Sequence, residues 1–232
     1  MKEPFSPLDR EKGHIVVSAC GRKWTLSRPA DLESLWNAVT EEICGEDERL
    51  PYWVELWPAS LTLASWLQAN RMRIKDRYCL DLGCGLGFTA LVAQSLGAKV
   101  LGVDYEPAAL VYARANAVSN GTPAPLLVVM DWRFPAVLPA SCEYIWAGDI
   151  VYEHRFIRPL LDFFRHALAR EGIIWIAEPD RTVYTLFRQA LEGEGLFSRR
   201  VVRERVPDLH SRETLVTVNL WEIGKKLGQR GG

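Results

Sequence analysis

The run Asp81-Leu82-Gly83-Cys84-Gly85-Leu86-Gly87 sets three alternating glycines directly behind an acid. Glycine lets a backbone turn tightly and approach a ligand with no Cβ in the way, and a helix starting just after such a turn presents unpaired N–H groups. The loop therefore suits a nucleotide-like ligand. A dinucleotide pyrophosphate would call for G-x-G-x-x-G with glycine at position 88, and Phe88 stands there. Two more acids follow at the ends of the next two apolar runs. Asp104 is placed to accept hydrogen bonds from both hydroxyls of a ribose; Asp131 can take an adenine amino proton, and Trp132 beside it can cover the base with its indole. Each feature alone has a plain structural explanation: a tight turn at the glycines, a turn former at Asp104 ahead of Glu106-Pro107, a cap at Asp131. Their recurrence at the ends of successive strands points to one adenosine-bearing cofactor.

Bringing those ends together requires a parallel sheet. Strands are expected at 78–82, 99–104, 126–130, 144–147 and 172–177, alternating with helices at 87–95, 107–119, 156–169 and 181–191. Such alternation is the signature of βαβ units, hence of an α/β, doubly wound, Rossmann-like sheet that is mostly parallel. The runs 197–206 and 214–223 follow with no helix between them and read as an antiparallel C-terminal strand pair, making seven strands. Upstream, 14–17 and 23–26 flank Cys20-Gly21 as a β-hairpin, Asp31 can cap a helix through 38, and 60–67 reads as an apolar helix. The expected organisation is a single domain: an N-terminal extension over 1–70, a cofactor-binding core over 71–223 and a disordered tail over 224–232.

Lys+Arg total 28 against Asp+Glu 29, and a net charge of -1 supplies no global field for a polyanion. Nucleic acid is thus a disfavoured partner. An acidic partner would need a local patch such as Arg199, Arg200, Arg203 and Arg205, although strand alternation turns some of these to solvent instead. No segment approaches the ~18 apolar residues of a membrane span, and the first residues lack a signal-peptide core, so a soluble, cytoplasmic protein without a membrane partner is expected. Cys20, Cys44, Cys79, Cys84 and Cys142 are odd in number and scattered, and His14, His154, His166 and His210 show no ligand spacing. Neither a disulfide framework nor a metal site is expected.

From Asp81 to the C-terminal strand pair the sequence resembles the class I, seven-strand S-adenosylmethionine-dependent methyltransferases. Two further segments are similar to a narrower group, the protein-lysine methyltransferases of methyltransferase-like families 21 and 16. Pro51-Tyr52-Trp53-Val54-Glu55-Leu56-Trp57-Pro58 is like the Trp-Pro segment ahead of the core in that group, and Asp149-Ile150-Val151-Tyr152 fits its acid-x-x-aromatic motif after the fourth strand. The resemblance implies S-adenosylmethionine as cofactor, with Trp57, Gly83, Cys84, Gly85, Asp104, Trp132 and Gly148 in contact with it and Asp149 and Tyr152 beside the methyl-accepting group. Read without it, Trp53 and Trp57 are core aromatics on one face, and Asp149 and Tyr152 a strand-end turn with a surface acid and a packed tyrosine. Cys84 within the loop, and Gly148 where alanine is often found, depart from the pattern. Nucleobase N-methyltransferases usually carry two prolines between the acid or Asn and the aromatic; here Ile150-Val151 replaces both, which disfavours a base as acceptor.

The expected reaction is N-methylation of a lysine on a protein substrate. Displacement at a sulfonium methyl needs the nucleophile held in line and no metal. A lysine must also be neutral, and with pKa ~10.4 only about one amine in 2500 is so at pH 7, a cost of roughly 4.6 kcal/mol. Asp149 can orient the amine, but its charge favours the ammonium, so it positions rather than deprotonates, the proton leaving to solvent before closure. Tyr152 would narrow the channel and turn its ring to the cation. The competing readings are a small-molecule or other side-chain acceptor, a catalytically silent cofactor-binding adaptor, and a dehydrogenase preferring NAD.

Overall fold

The computed structural model describes residues 13–31, 51–209 and 214–225. The helix expected after Asp31, Cys44, the His210-Ser211 loop and most of the expected tail lie outside these residues; of that tail, Gly224 instead closes the last strand.

Strands β1 (His14–Ala19) and β2 (Arg22–Ser27) form the hairpin, in register from His14 opposite Ser27 to Ala19 opposite Arg22. Cys20 and Gly21 turn between them with φ of 55° and 76°. Helix α1 (Pro58–Ala69) starts with proline at its first position, where no N–H is needed, and the short α2 (Arg71–Ile74) follows. The core then alternates: β3 (Tyr78–Leu82), α3 (Phe88–Ser95), β4 (Lys99–Asp104), α4 (Pro107–Ser119), β5 (Leu126–Val129), β6 (Cys142–Gly148), α5 (Ile157–Ala167), β7 (Leu168–Glu178) and α6 (Val183–Gly193). Strands β8 (Phe197–Pro207) and β9 (Leu215–Gly224) end it.

The seven core strands lie in the order β5-β4-β3-β6-β7-β9-β8. Strands β3 to β7 run parallel, and β9 is antiparallel to both its neighbours. This is the doubly wound sheet expected from the alternation. β7 is longer than expected because α5 stops at Ala167 and Leu168 already pairs with Cys142, a register shift then bringing Ile173 opposite Tyr144. One face of the sheet is covered by Leu160, Leu161, Phe163 and Phe164 of α5 with Phe187 and Leu191 of α6. The other carries α1 and α3 through Ala59, Leu63, Leu67, Ala90 and Ala93, packed against Trp146 and Trp175. No helix among the described residues is long and apolar enough to cross a membrane.

The hairpin is built into this core. Its inward residues Ile15, Val17, Trp24 and Leu26 share a buried cluster with Leu61, Leu86, Phe88 and Leu91. Polar contacts fix the docking: Asn116 on α4 and Asn120, one turn on at its C-terminal cap, each grip a β2 peptide with both ends of the amide. Asn116 Oδ1 accepts the Ser27 N–H at 2.6 Å while its Nδ2 donates to the carbonyls of Ser27 at 3.2 Å and Leu86 at 3.0 Å. Asn120 repeats the grip on Thr25 at 2.9 and 2.7 Å. Since Leu86 belongs to the glycine loop, Asn116 ties the hairpin to that loop. Asn116 is fully buried and Asn120 is not. Asn116→Ala strands buried polar groups of Ser27 and Leu86 and is expected to cost roughly 2–4 kcal/mol in urea unfolding, against about 1 kcal/mol for Asn120→Ala; equal losses would show that Asn116 is no keystone.

Candidate active site

The carboxyl ends of β3, β4, β5 and β6 converge on one cavity, where the strand order reverses between β3 and β6 and no crossover covers the strand ends. The segment before α1 supplies a further wall: Tyr52–Val54 make one short 3-10 turn, and Glu55 pairs with Arg28 at the end of the hairpin at 2.6 Å. Nine of the twelve residues expected to form the site line the cavity: Trp57, Gly83, Gly85, Asp104, Asp131, Trp132, Gly148, Asp149 and Tyr152. Asp81, Cys84 and Gly87 stand behind the wall instead.

The N–H groups of the glycine loop are spent largely within the protein. The N–H groups of Gly83 and Cys84 both go to the Val103 carbonyl at 2.9 Å, that of Gly87 goes to Cys84 at 2.8 Å, and that of Gly85 goes to Asp104 Oδ2 at 2.8 Å. The loop therefore shapes the wall and holds Asp104. Gly87 has φ 86°, and a Cβ there would lie 2.8 Å from that of Ala113, so glycine is what allows α4 to pack under the loop. At Gly148 the close neighbour is Ser60, whose Oγ would sit 3.1 Å from an added Cβ; the missing methyl leaves room for the first turn of α1.

Asp81 is 1% exposed and is the buried support of this loop. Its Oδ2 accepts the Thr89 hydroxyl at 2.6 Å at the start of α3. Burial pushes its carboxyl up to about 7, opposed by the Thr89 hydrogen bond. Cys84 turns its sulfur toward Gly102 of β4, and burial holds its thiol well above the usual range. The motif fixes the positions of Asp81 and Cys84 in the chain but not which way their side chains turn, so the cofactor contact that the resemblance implies for Cys84 is not a place on the cavity wall.

Asp104 is equipped for a diol. Oδ2 accepts from Gly85 and Oδ1 accepts the Glu106 N–H at 3.0 Å, and a carboxylate with about four acceptor sites retains capacity for a ligand in the cavity it lines. Burial raises its carboxyl, and the Glu106 and Gly85 N–H groups oppose that shift. Asp131 receives the Arg133 N–H and guanidinium, both at 2.8 Å, and Trp132 stands edge-on to Phe156 at 5.7 Å. Trp57 spends its indole N–H on the Tyr52 carbonyl at 3.0 Å and lines the cavity.

Beyond β6 the cavity is aromatic. Tyr52 meets Tyr152 at 5.0 Å and Trp57 at 6.0 Å, and Tyr152 meets Phe156 at 4.9 Å, all edge to face. Burial pushes the Tyr152 phenol far up, so it stays protonated. Asp149 sits in the left-handed region with φ 52°, held by its N–H to Ala177 at 2.8 Å. Its carboxylate is not free: Arg181 grips both oxygens at 2.7 Å. Sequence reasoning missed Arg181, and also Tyr52 and Phe156 as wall residues. Arg181 was read only as the start of a helix, and its neighbour Asp149 lies 32 positions away. Three of the four arginines of β8 are engaged: Arg199 with Glu222 at 2.8 Å, Arg203 with Asp180 at 3.2 Å, and Arg200 with Asn219 at 3.3 Å, while Arg205 is exposed.

A family profile described as a methyltransferase domain matches residues 79–172, which span the glycine loop, Asp104, Asp131 and the Asp149–Tyr152 segment. The chain carries a methyltransferase domain. Its seven-strand sheet is the class I fold, shared with a putative RNA methyltransferase from Pyrococcus horikoshii at TM-score 0.58 and 17% identity over 87% of this chain and 100% of that one. Among curated proteins it is 31% identical to protein-lysine methyltransferase METTL21E of Bos taurus over 73% of this chain and 58% of that protein. It is 25% identical to EEF1A lysine methyltransferase 3 of Mus musculus, over 75% and 72%. The chain spans little more than half the length of the METTL21E relative. S-adenosylmethionine is the cofactor of this domain class, and the methyltransferase cavity fits it: a carboxylate with spare acceptors for a diol, an indole beside an acid for a base, and aromatic walls for a cation.

The raised carboxyl of Asp81 makes stability depend on pH. An unfolded aspartate titrates near 3.8 and the folded one near 7, so the folded state holds the extra proton between these values and loses stability as pH rises across that window. Asp81→Asn has no such loss. Relative to the wild type it is expected to gain about 2–3 kcal/mol on going from pH 5 to pH 8, at 1.36 kcal/mol per unit. Urea unfolding of both proteins at both pH values measures this, and parallel curves would mean that Asp81 stays ionised throughout.

Proposed function

We propose that this chain is an S-adenosylmethionine-dependent methyltransferase that N-methylates a lysine side chain of a protein substrate. The observation that carries the reading is that Asp104 and the Asp149–Tyr152 segment line one cavity, so a ribose held at the first would direct the methyl group toward the second. Identity of 31% and 25% to two lysine methyltransferases supports it.

Bound here, S-adenosylmethionine supplies an electrophilic methyl group on a cationic sulfur. Tyr52, Trp57, Tyr152 and Phe156 turn ring faces and edges to the space beside Asp149, which excludes water and tolerates a cation. A neutral lysine nitrogen held beside Asp149 would give its lone pair to that methyl carbon, the carbon–sulfur bonding pair going to sulfur, so that the leaving group would be neutral S-adenosylhomocysteine and the product a methylated ammonium. The amine enters already neutral, its proton lost to solvent, since at the acceptor end Tyr152 is a protonated phenol and Asp149 is paired with Arg181. A metabolite amine is the second reading, favoured by the apolar aromatic enclosure, which a small substrate would fill.

Isothermal titration with S-adenosylhomocysteine tests the cofactor part. The wild type is expected to bind, and Asp104→Ala to bind at least tenfold more weakly, since two charge-assisted hydrogen bonds are lost at about 1.5–3 kcal/mol each. Tritiated methyl transfer into a cell lysate tests the acceptor. Methyllysines recovered after acid hydrolysis of labelled protein are expected; label confined to the small-molecule fraction would favour the metabolite.

A further inference from the structure

Arg181 is not part of the cavity wall, yet the turn that carries it is tied to the core. Its own N–H goes to Glu178 Oε2 at 2.8 Å. The other oxygen of that buried carboxylate accepts from Asn219 Nδ2 at 2.9 Å and Trp221 Nε1 at 3.1 Å. Two strands, β7 and β9, thus fix the turn that carries Arg181. From there the guanidinium reaches Asp149 in the two-pronged geometry that matches a carboxylate best, with Nε on Oδ1 and Nη2 on Oδ2, both at 2.7 Å. The Asp149 side chain is 4% exposed and that of Arg181 35%, so the arginine stands on the outer side of the pair and Asp149 on the cavity side.

A lone carboxylate at the acceptor end would bind an ammonium tightly and hold its proton on, since an opposite charge within about 4–6 Å shifts a pKa by about 1–3 units. That would work against the deprotonation that a nucleophilic amine requires. The paired carboxylate still offers lone pairs for an N–H, with its charge offset.

We infer that Arg181 is a positioning residue that neutralises Asp149, so that the acceptor end of the cavity selects a neutral amine over an ammonium. The inference rests on the methyltransferase reading above and names the charge state of the substrate that the site takes.

The test needs no identified acceptor. Sinefungin is an S-adenosylmethionine analogue with a primary amine on the carbon that replaces the methyl-bearing sulfur, and S-adenosylhomocysteine lacks that amine. The ratio of their affinities, measured by calorimetry at pH 7, reports how the site treats an ammonium. Arg181→Met is expected to raise the preference for sinefungin about tenfold or more, because Asp149 is left uncompensated. Asp149→Asn is expected to lower it, because Arg181 is then the uncompensated charge. Arg181→Lys, which keeps the charge, is expected to stay near the wild-type ratio. A merely structural pair would loosen both ligands and leave the ratio alone. Ratios that do not move, or that move the same way in Arg181→Met and Asp149→Asn, overturn the inference while leaving the methyltransferase reading intact. A wild type that binds neither ligand overturns that reading and the inference with it. Should Arg181→Met fail to fold, Arg181→Gln, which also removes the charge, carries the same expected rise, and its absence overturns the inference.

Discussion

Between β3 and β6 the strand order of the sheet reverses, so the chain leaves these two neighbours in opposite directions and their carboxyl ends stay uncovered. The rest of the molecule answers to that gap. Parallel strands buried on both faces put their chemistry at their ends, because only there does a side chain escape the helices. Asp104 at the end of β4, Asp131 just past β5 and Asp149 just past β6 consequently reach one space although 45 positions separate the first from the last. The open side of the gap is closed by residues from outside the sheet, the Tyr52–Trp57 segment, which is held by the Arg28–Glu55 pair and by the start of α1 against Gly148.

Much of this was legible in the residues. Hydrophobic alternation gave the core helices and strands to within a few residues, since each had an uninterrupted period and a clear punctuating Gly, Asp or Pro. Pro107 at the start of α4 is the plainest case, marking a helix that runs as expected over 107–119. The glycine spacing and the acids at strand ends identified the residues that meet, because in a parallel sheet the position of a residue at the end of its strand fixes where its side chain can go. The length of β7 was not legible: α5 gives way to strand at Leu168 with no glycine or proline to announce it.

The parts that sequence reasoning missed are those set by side-chain direction or by partners remote in sequence. Asp81 and Gly85 belong to the same motif, but one turns inward to Thr89 and the other borders the cavity. Nothing in the spacing separates them. Arg181 sits in Glu178-Pro179-Asp180-Arg181, an ordinary turn by composition, and acquires its meaning only when β6 and β7 lie side by side. The Asn116 and Asn120 grip on β2 is likewise invisible in a helix that reads as merely amphipathic, since asparagine one turn apart is unremarkable until a strand edge crosses it.

The placement of β9 between β7 and β8 gives the cavity two histories during synthesis. The half that contains the glycine loop, Asp104 and Asp131 draws on contiguous βαβ units and can pair as soon as β5 has left the ribosome, because its contacts are local in sequence. The half that contains Asp149 and Arg181 leans on Glu178, whose partners Asn219 and Trp221 lie on a strand made some 40 residues later. Until that strand inserts, β8 has no neighbour and the edge of β7 is bare, an exposed template for pairing with another chain. A nascent protein would therefore hold a nucleoside-shaped hollow before it had an acceptor end, and early occupancy of that hollow would steady the sheet through the interval in which its other edge is open.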